Sequence, residues 1–307
     1  MKTRLKIGAA AACLALMISL FGCGTSESFS DSSSQQQEGE AQTLVVGSQD
    51  FYENEIIAEA YAEALEANGF KVERSFRIGQ REIYMPEIES GSIDVFPEYT
   101  GNLLQYLDEN ATATESQDVY DALVQVMPDG LRVLDQAEAT DADSYVVTKE
   151  FADANDIVAI GDLAGIDGLV LAGNAELESR PYGPAGLKDI YGVDIVRFAP
   201  VEDSGGPLTV KALRDGDATI VDMYSSTPEL ASGDLVVLED PEGMFLASHV
   251  VPIVSDRIDE KAAEVIDRVS ASLTPEALVR MNDESVNGKR SAADIAHDFL
   301  VQAEIIQ

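Results

Sequence analysis

The sequence predicts an α/β protein of two similar lobes, with the chain crossing between them twice. Three observations carry this. A β-α-β-α-β rhythm runs from Thr43 to Phe96, the pattern of a mostly parallel sheet with helices on both faces. The rhythm restarts at Asp143. A further apolar strand and closing helices then follow, more elements than the second lobe alone accommodates. The crossings are expected near 142 and 248. Lobe one is thus 43–142 plus 249–307, and lobe two is 143–248.

The elements follow in order. Thr43 to Ser48 reads as a strand ending in a turn. Ser48 or Asp50 caps a helix through about Asn68, with Ile56, Ile57, Ala60, Ala64 and Leu65 at helical spacing. Asn68-Gly69 closes it. Phe70 to Phe76 alternates as a second strand, Arg81 to Glu89 is a helix, and Ile93 to Phe96 is a third strand. Pro97-Glu98-Tyr99-Thr100-Gly101 then reads as a turn that ends this strand. In lobe two, strands are expected at 143–148, 169–172, 195–198, 218–222 and 235–238, with a helix at 208–214. Val250 to Val254 is the return strand, and two helices, about 259–273 and 292–305, close the chain. Ligands of open α/β sheets sit at the carboxyl ends of strands. Here those ends are Gly47-Ser48-Gln49, Pro97 to Gly101, Ala172-Gly173-Asn174 and Asp222-Met223-Tyr224.

The N-terminus reads as a leader. Lys2, Arg4 and Lys6 precede an apolar run from Ile7 to Phe21, too short for a spanning helix. Leu20-Phe21-Gly22-Cys23 is lipobox-like. It implies a signal peptide at 1–22, cleavage before Cys23, and lipid on that thiol. The Ser/Gln/Glu-rich stretch that follows, within 23–42, is a tether that buries no core.

Composition narrows the chemistry. Cys13 and Cys23 are the only cysteines, and His249 and His297 the only histidines. A disulfide, a thiolate or His-rich metal site and a Ser-His-Asp triad are all poorly supported. No catalytic residue, metal or cofactor is assigned. The net charge of −36 becomes more negative once the leader's cations are removed. Such a surface repels nucleic acid.

Several stretches resemble a known family. They are VVGSQDFYENEIIAEAYAEALEANGFKVER, GSIDVFPEYTGNLL, SYVVT, YGPAGLKDIYG, ALRDGDATIVDMYSS and VVPIV. Together they look like the substrate-binding proteins of osmoprotectant (glycine betaine/carnitine/choline) ABC transporters, over nearly all of 44–307. The resemblance implies the two-lobed venus-flytrap (type 2) periplasmic-binding-protein fold. It also implies a quaternary-amine ligand, an ABC permease as partner, and a place on the extracytoplasmic face of the membrane through the lipid anchor. A monomer is expected.

A trimethylammonium head donates no hydrogen bonds, and aromatic faces attract it by about 0.5–2 kcal/mol per ring. The family box is built from tyrosines of both lobes. The matching positions are Tyr99, Tyr145 and Tyr224. The sequence departs from the family in four ways. Ser248 stands where a fourth tyrosine is expected, leaving a wall for His249 or Phe245 to fill. Gln49 replaces a lysine that would meet a carboxylate. Asn102 replaces a hydroxyl residue after PEYTG. Arg180 matches, with imperfect spacing, an arginine that holds a carboxylate. These changes favour a choline-like ligand over glycine betaine. Glu98 is expected as a solvated or capping carboxylate, with negative potential for a cationic ligand as the alternative, and Asp222 carries the same two readings. A ligand-sensing lipoprotein and a binding protein for another small solute remain open. An enzyme is disfavoured for want of a nucleophile–base pair.

Overall fold

The computed structural model describes residues 42–307. The leader, Cys23 and the tether up to residue 41 lie outside the described residues.

Lobe one begins with β1 (Thr43–Gly47), α1 (Tyr52–Ala67), β2 (Lys71–Ser75), α2 (Arg81–Glu89) and β3 (Val95–Tyr99). It continues with α3 (Thr100–Leu107), α4 (Ser116–Val126) and β4 (Leu131–Val133). Lobe two holds β5 (Asp143–Thr148), α5 (Lys149–Asn155), β6 (Val170–Gly173), α6 (Pro184–Tyr191), β7 (Arg197–Pro200), α7 (Pro207–Arg214), β8 (Ile220–Tyr224) and β9 (Leu235–Val237). The chain returns in β10 (Val250–Ser255) and ends in α8 (Glu260–Ser270), α9 (Pro275–Val286) and α10 (Ala292–Gln302).

The two sheets share one plan. Their strand orders are β2-β1-β3-β10-β4 and β7-β6-β8-β5-β9. In each, three parallel strands meet an antiparallel fourth that carries the fifth. The two crossings run side by side. Thr140 and His249 form an antiparallel bridge. Asp141 N donates to Ser248 O at 2.9 Å, and Val250 N to Ala139 O at 3.0 Å. This paired ribbon is the joint between the lobes.

Lobe one has a core on each face of its sheet, one against the helices α1, α8, α9 and α10 and the other against α2, α3 and α4. Ile57, Tyr61 and Leu65 of α1 are fully buried among Val46, Ile266, Leu278 and Leu300. Each such aliphatic side chain contributes about 1.5–3 kcal/mol by leaving water. The closing segment therefore completes the first lobe's core, which is why it follows the second lobe in sequence.

The sequence reading does not place α3, α4, β4, α5 or α6, and it sets β7 and β8 two residues early; two further differences have a clear local cause. The closing segment holds three helices. Thr274 Oγ1 accepts from Ala277 N at 3.2 Å and Pro275 occupies the first turn, a start signal that separates α9 from α8. The PEYTG turn is also absent. β3 continues through Pro97, Glu98 and Tyr99, and α3 starts at once at Thr100. Pro97 faces Pro252 across the β3–β10 pair. Thr100 N donates to His249 O at 2.9 Å. Antiparallel pairs alternate between bonded and non-bonded positions. That alternation puts both prolines where this ladder requires no N–H. Gly101 is required by close approach: a Cβ there would lie 2.8 Å from Ala247 O and 2.9 Å from Leu246 O.

Candidate functional site

The carboxyl ends of β1, β3, β6 and β8 converge on one cleft between the lobes. The first residue of antiparallel β5 lies at the same edge, because Asp143 pairs with Tyr224. The cleft contains about 520 Å³ not filled by protein atoms, part of it open to solvent.

Four aromatic side chains line it. Phe51 and Tyr99 come from lobe one, Tyr182 and Tyr224 from lobe two. Phe51 and Tyr224 meet edge to face across the lobes, with ring centroids 5.2 Å apart. Tyr99 is 4 % exposed. Its hydroxyl donates to Glu53 Oε1 at 3.0 Å. Burial pushes that phenol well above its ordinary range, and the charge of Glu53 adds to this. Tyr182 accepts from Asn102 Nδ2 at 3.2 Å, and its ring rests on Phe245 at 5.5 Å.

The sequence-predicted residues divide into two groups. Gln49, Tyr99, Asn102, Arg180 and Tyr224 line the cleft. Tyr145, Ser248 and His249 are placed behind it. Tyr145 shares a strand face with Asp143 but sits two residues deeper, about 6–7 Å from the sheet edge. It is fully buried, and its hydroxyl donates to Tyr182 O at 2.5 Å. Tyr145 therefore supports the ring that does reach the cleft. Ser248 Oγ donates to Asn102 Oδ1 at 2.6 Å. His249 turns away, with Nδ1 2.8 Å from Ala137 O. Tyr182, rather than His249 or Phe245, presents the additional ring.

Asn102 has no spare donor. Its amide bonds Asp143 Oδ2 and Tyr182 Oη, and its oxygen holds Ser248. The residue clamps lobe one to lobe two. Arg180 is also engaged: Nη1 is 2.7 Å from Glu82 Oε1, and the guanidinium lies 5.8 Å from the Tyr106 ring centroid.

Glu98 corrects the expectation of a solvated carboxylate. It is fully buried. Arg81 Nε and Nη2 grip it at 2.8 and 3.0 Å. Tyr84 Oη and Tyr99 N also donate to it, at 2.5 and 2.9 Å. The turn expected at this point would have left Glu98 in water; its place inside the sheet puts it beside α2. Arg81 lines the cleft but is already neutralised.

The cleft is therefore acidic. Asp141, Asp143, Glu176 and Asp222 line it, while its two arginines are paired elsewhere. Asp143 and Asp222 hydrogen-bond one another. Burial raises both carboxyls, and the charge of Asp143 raises Asp222 further, well above the usual range. Glu53 and Asp141 form a second raised pair. Burial is the larger cause in both, and Glu53's charge adds to the rise of Asp141. Glu53 accepts from Tyr99, from Ser226 Oγ at 2.6 Å, and from Asn282 Nδ2. No group of three or more metal-ligating side chains is found among the described residues. Phe51, Tyr182 and Asp143 escaped the sequence reading. Phe51 and Tyr182 lie in connections, and Asp143 was taken only as the start of a strand.

The comparisons with known proteins agree with this architecture. The family model described as the substrate binding domain of ABC-type glycine betaine transport systems matches residues 42–302. The glycine betaine-binding protein YehZ of Escherichia coli K12 is 24 % identical over 277 residues, covering 85 % of this chain and 91 % of its own. A glycine-betaine-binding protein of Pseudomonas aeruginosa is 23 % identical over 288 residues, covering 87 % and 90 %. A crystal structure titled glycine betaine/carnitine/choline ABC transporter superposes with a TM-score of 0.68 at 20 % identity, over 86 % of this chain and all of that one. A choline-binding protein in complex with choline gives 0.62 at 14 % identity, over 85 % and 89 %. The fold is the two-lobed type 2 periplasmic-binding-protein fold. The chain belongs to the family of substrate-binding domains of ABC-type glycine betaine transport systems, and is a transport binding protein rather than an enzyme.

Proposed function

We propose that this protein captures a quaternary ammonium cation in the cleft and delivers it to an ABC permease. Lipid on Cys23 holds it, as a monomer, at the extracytoplasmic face of the membrane. Among the described residues no helix is long and apolar enough to cross a membrane. Choline-like cations are favoured over glycine betaine.

The observation that carries this reading is the pairing of aromatic faces with an acidic lining. Phe51, Tyr99, Tyr182 and Tyr224 bring aromatic side chains to the cleft from both lobes. Each ring attracts a desolvated cation by about 0.5–2 kcal/mol. Both arginines that would welcome a carboxylate are bound to Glu98 and Glu82, and Gln49 offers only a neutral amide. Lobe closure then couples binding to a shape that the permease reads. The test is titration calorimetry with choline, glycine betaine, carnitine and proline betaine. Saturable binding with choline tightest is expected; no binding of any of the four would overturn the proposal.

A further inference from the structure

Ser226 sits between two buried carboxyls where the lobes meet. Its N donates to Asp141 Oδ1 at 3.2 Å, and its Oγ to Glu53 Oε2 at 2.6 Å. Glu53 belongs to α1 of lobe one, and Ser226 follows β8 of lobe two. Asp141 lies in the first crossing, paired with Ser248 of the second. Glu53 is fully buried and Asp141 is 4 % exposed. The two carboxyls also bond each other.

Two carboxyls in contact keep one proton between them, because a second negative charge is costly where water is excluded. The surrounding donors show which acid carries it. Tyr99 Oη, Ser226 Oγ and Asn282 Nδ2 all donate to Glu53. An ionised carboxylate has about four acceptor sites. Glu53 is therefore the ionised partner, and Asp141 is its fourth donor. The groups around the pair are Tyr52, Tyr99, Asp143, Asp222 and Glu229, all neutral or acidic. The cleft arginines are held elsewhere, Arg81 by Glu98 and Arg180 by Glu82. His249 of the second crossing turns its ring to Ala137 O. These side chains supply no positive charge in the proton's place.

We infer that the proton between Asp141 and Glu53 is a latch on lobe closure. With it, α1, the crossing and Ser226 stay together. Without it, two charges repel across the joint and the lobes part. Opening lets water reach both acids, so the open form holds the proton less tightly. Closure is then favoured below the open form's pKa and loses that advantage as pH rises through the closed form's. The empty protein is shut in acid and open to ligand once the pair is ionised. The inference concerns the empty protein and holds whichever solute the cleft takes.

The test is small-angle X-ray scattering of the purified full chain without ligand, at fixed ionic strength, from about pH 5 to about pH 8.5. The radius of gyration should be smallest at the acid end and grow with pH. The closed-to-open ratio should fall by up to about tenfold per pH unit for the one proton. Asp141→Asn keeps a donor for Glu53 but has no proton to lose, so it should stay compact throughout. Glu53→Gln removes the second charge and should flatten the profile too. Circular dichroism at each pH separates opening from unfolding; should neither variant fold, the wild-type profile alone decides. A wild-type radius that does not change with pH, or an Asp141→Asn profile that follows the wild type, would overturn the inference.

Discussion

Tyr99 Oη donates to Glu53 Oε1 at 3.0 Å, and Glu53 accepts at the same time from Ser226 Oγ at 2.6 Å. Tyr99 belongs to lobe one, while Ser226 follows the last cleft strand of lobe two. Asn282 of α9 bonds the same carboxyl. One buried acid thus ties the aromatic wall of lobe one to the segment after β8 in lobe two and to α9.

Replacing Glu53 should disturb both. Glu53→Ala leaves the Tyr99, Ser226 and Asn282 donors unmet, at about 1–3 kcal/mol for each buried group that water does not reach. Urea denaturation should show a clear loss of stability, and Glu53→Gln a smaller one. Stability equal to wild type in Glu53→Ala would show that these bonds contribute nothing.

The tyrosines should separate by role. Tyr99→Ala, Tyr182→Ala and Tyr224→Ala should each weaken choline binding by about tenfold or more. Tyr145→Phe removes only the bond to Tyr182 O. It should cost about 1 kcal/mol of stability and change affinity by less than about threefold. A loss of affinity in Tyr145→Phe as large as in Tyr99→Ala would return Tyr145 to the box.

The two-lobed plan was legible because parallel α/β units repeat a simple pattern of apolar strand, turn signal and amphipathic helix. Asp143 to Thr148 and Val250 to Val254 stood out on that basis. The end of β3 was not legible. Pro97 and Gly101 look like a turn locally, and only the register against Pro252 shows that the strand runs on. Tyr145 was selected for its strand position, but depth below the sheet edge is a tertiary property. Tyr182 sits in a connection, where periodicity says nothing, and only the fold brings its ring over the cleft. The acidic lining was hidden for another reason. In a chain with 56 acidic residues, only Asp222 of the lining stood out, by its place just before Tyr224; Asp141 and Asp143 did not until burial singled them out.

Arg81→Ala should be among the most damaging single changes. It strands Glu98 as an unpaired buried charge, and breaking such a pair costs about 3–5 kcal/mol. Thermal unfolding of Arg81→Ala should show a large drop, partly recovered in Arg81→Ala/Glu98→Gln. A midpoint unchanged by Arg81→Ala would mean that water reaches Glu98.

The cleft carboxyls set the response to pH. Asp141 and Asp222 are held well above their ordinary range, chiefly by burial and then by the charges of Glu53 and Asp143. Glu53 and Asp143 are raised as well, again chiefly by burial. Glu176, Arg81 and Arg180 also face these groups. A folded pKa above the unfolded one adds stability that is fully present below the unfolded value, about 4. That stability is lost as pH rises through the folded value. The unliganded protein should therefore melt higher at about pH 5.5 than at about pH 8. A bound cation favours the ionised carboxyls, so affinity should move the other way. It should fall on acidification by up to about tenfold per pH unit for each proton that must leave. Scanning calorimetry and choline titration across this range check both slopes, and Asp222→Asn should flatten them. Flat slopes in the wild type would mean that none of these carboxyls changes its protonation across this range.

The most direct test of the account is calorimetric titration of the purified protein with choline, run beside Tyr224→Ala. A saturable one-to-one isotherm, weakened about tenfold or more in the variant, is the predicted result. No choline binding by the wild type, or equal binding by both proteins, would contradict a cation held by the aromatic faces of the two lobes.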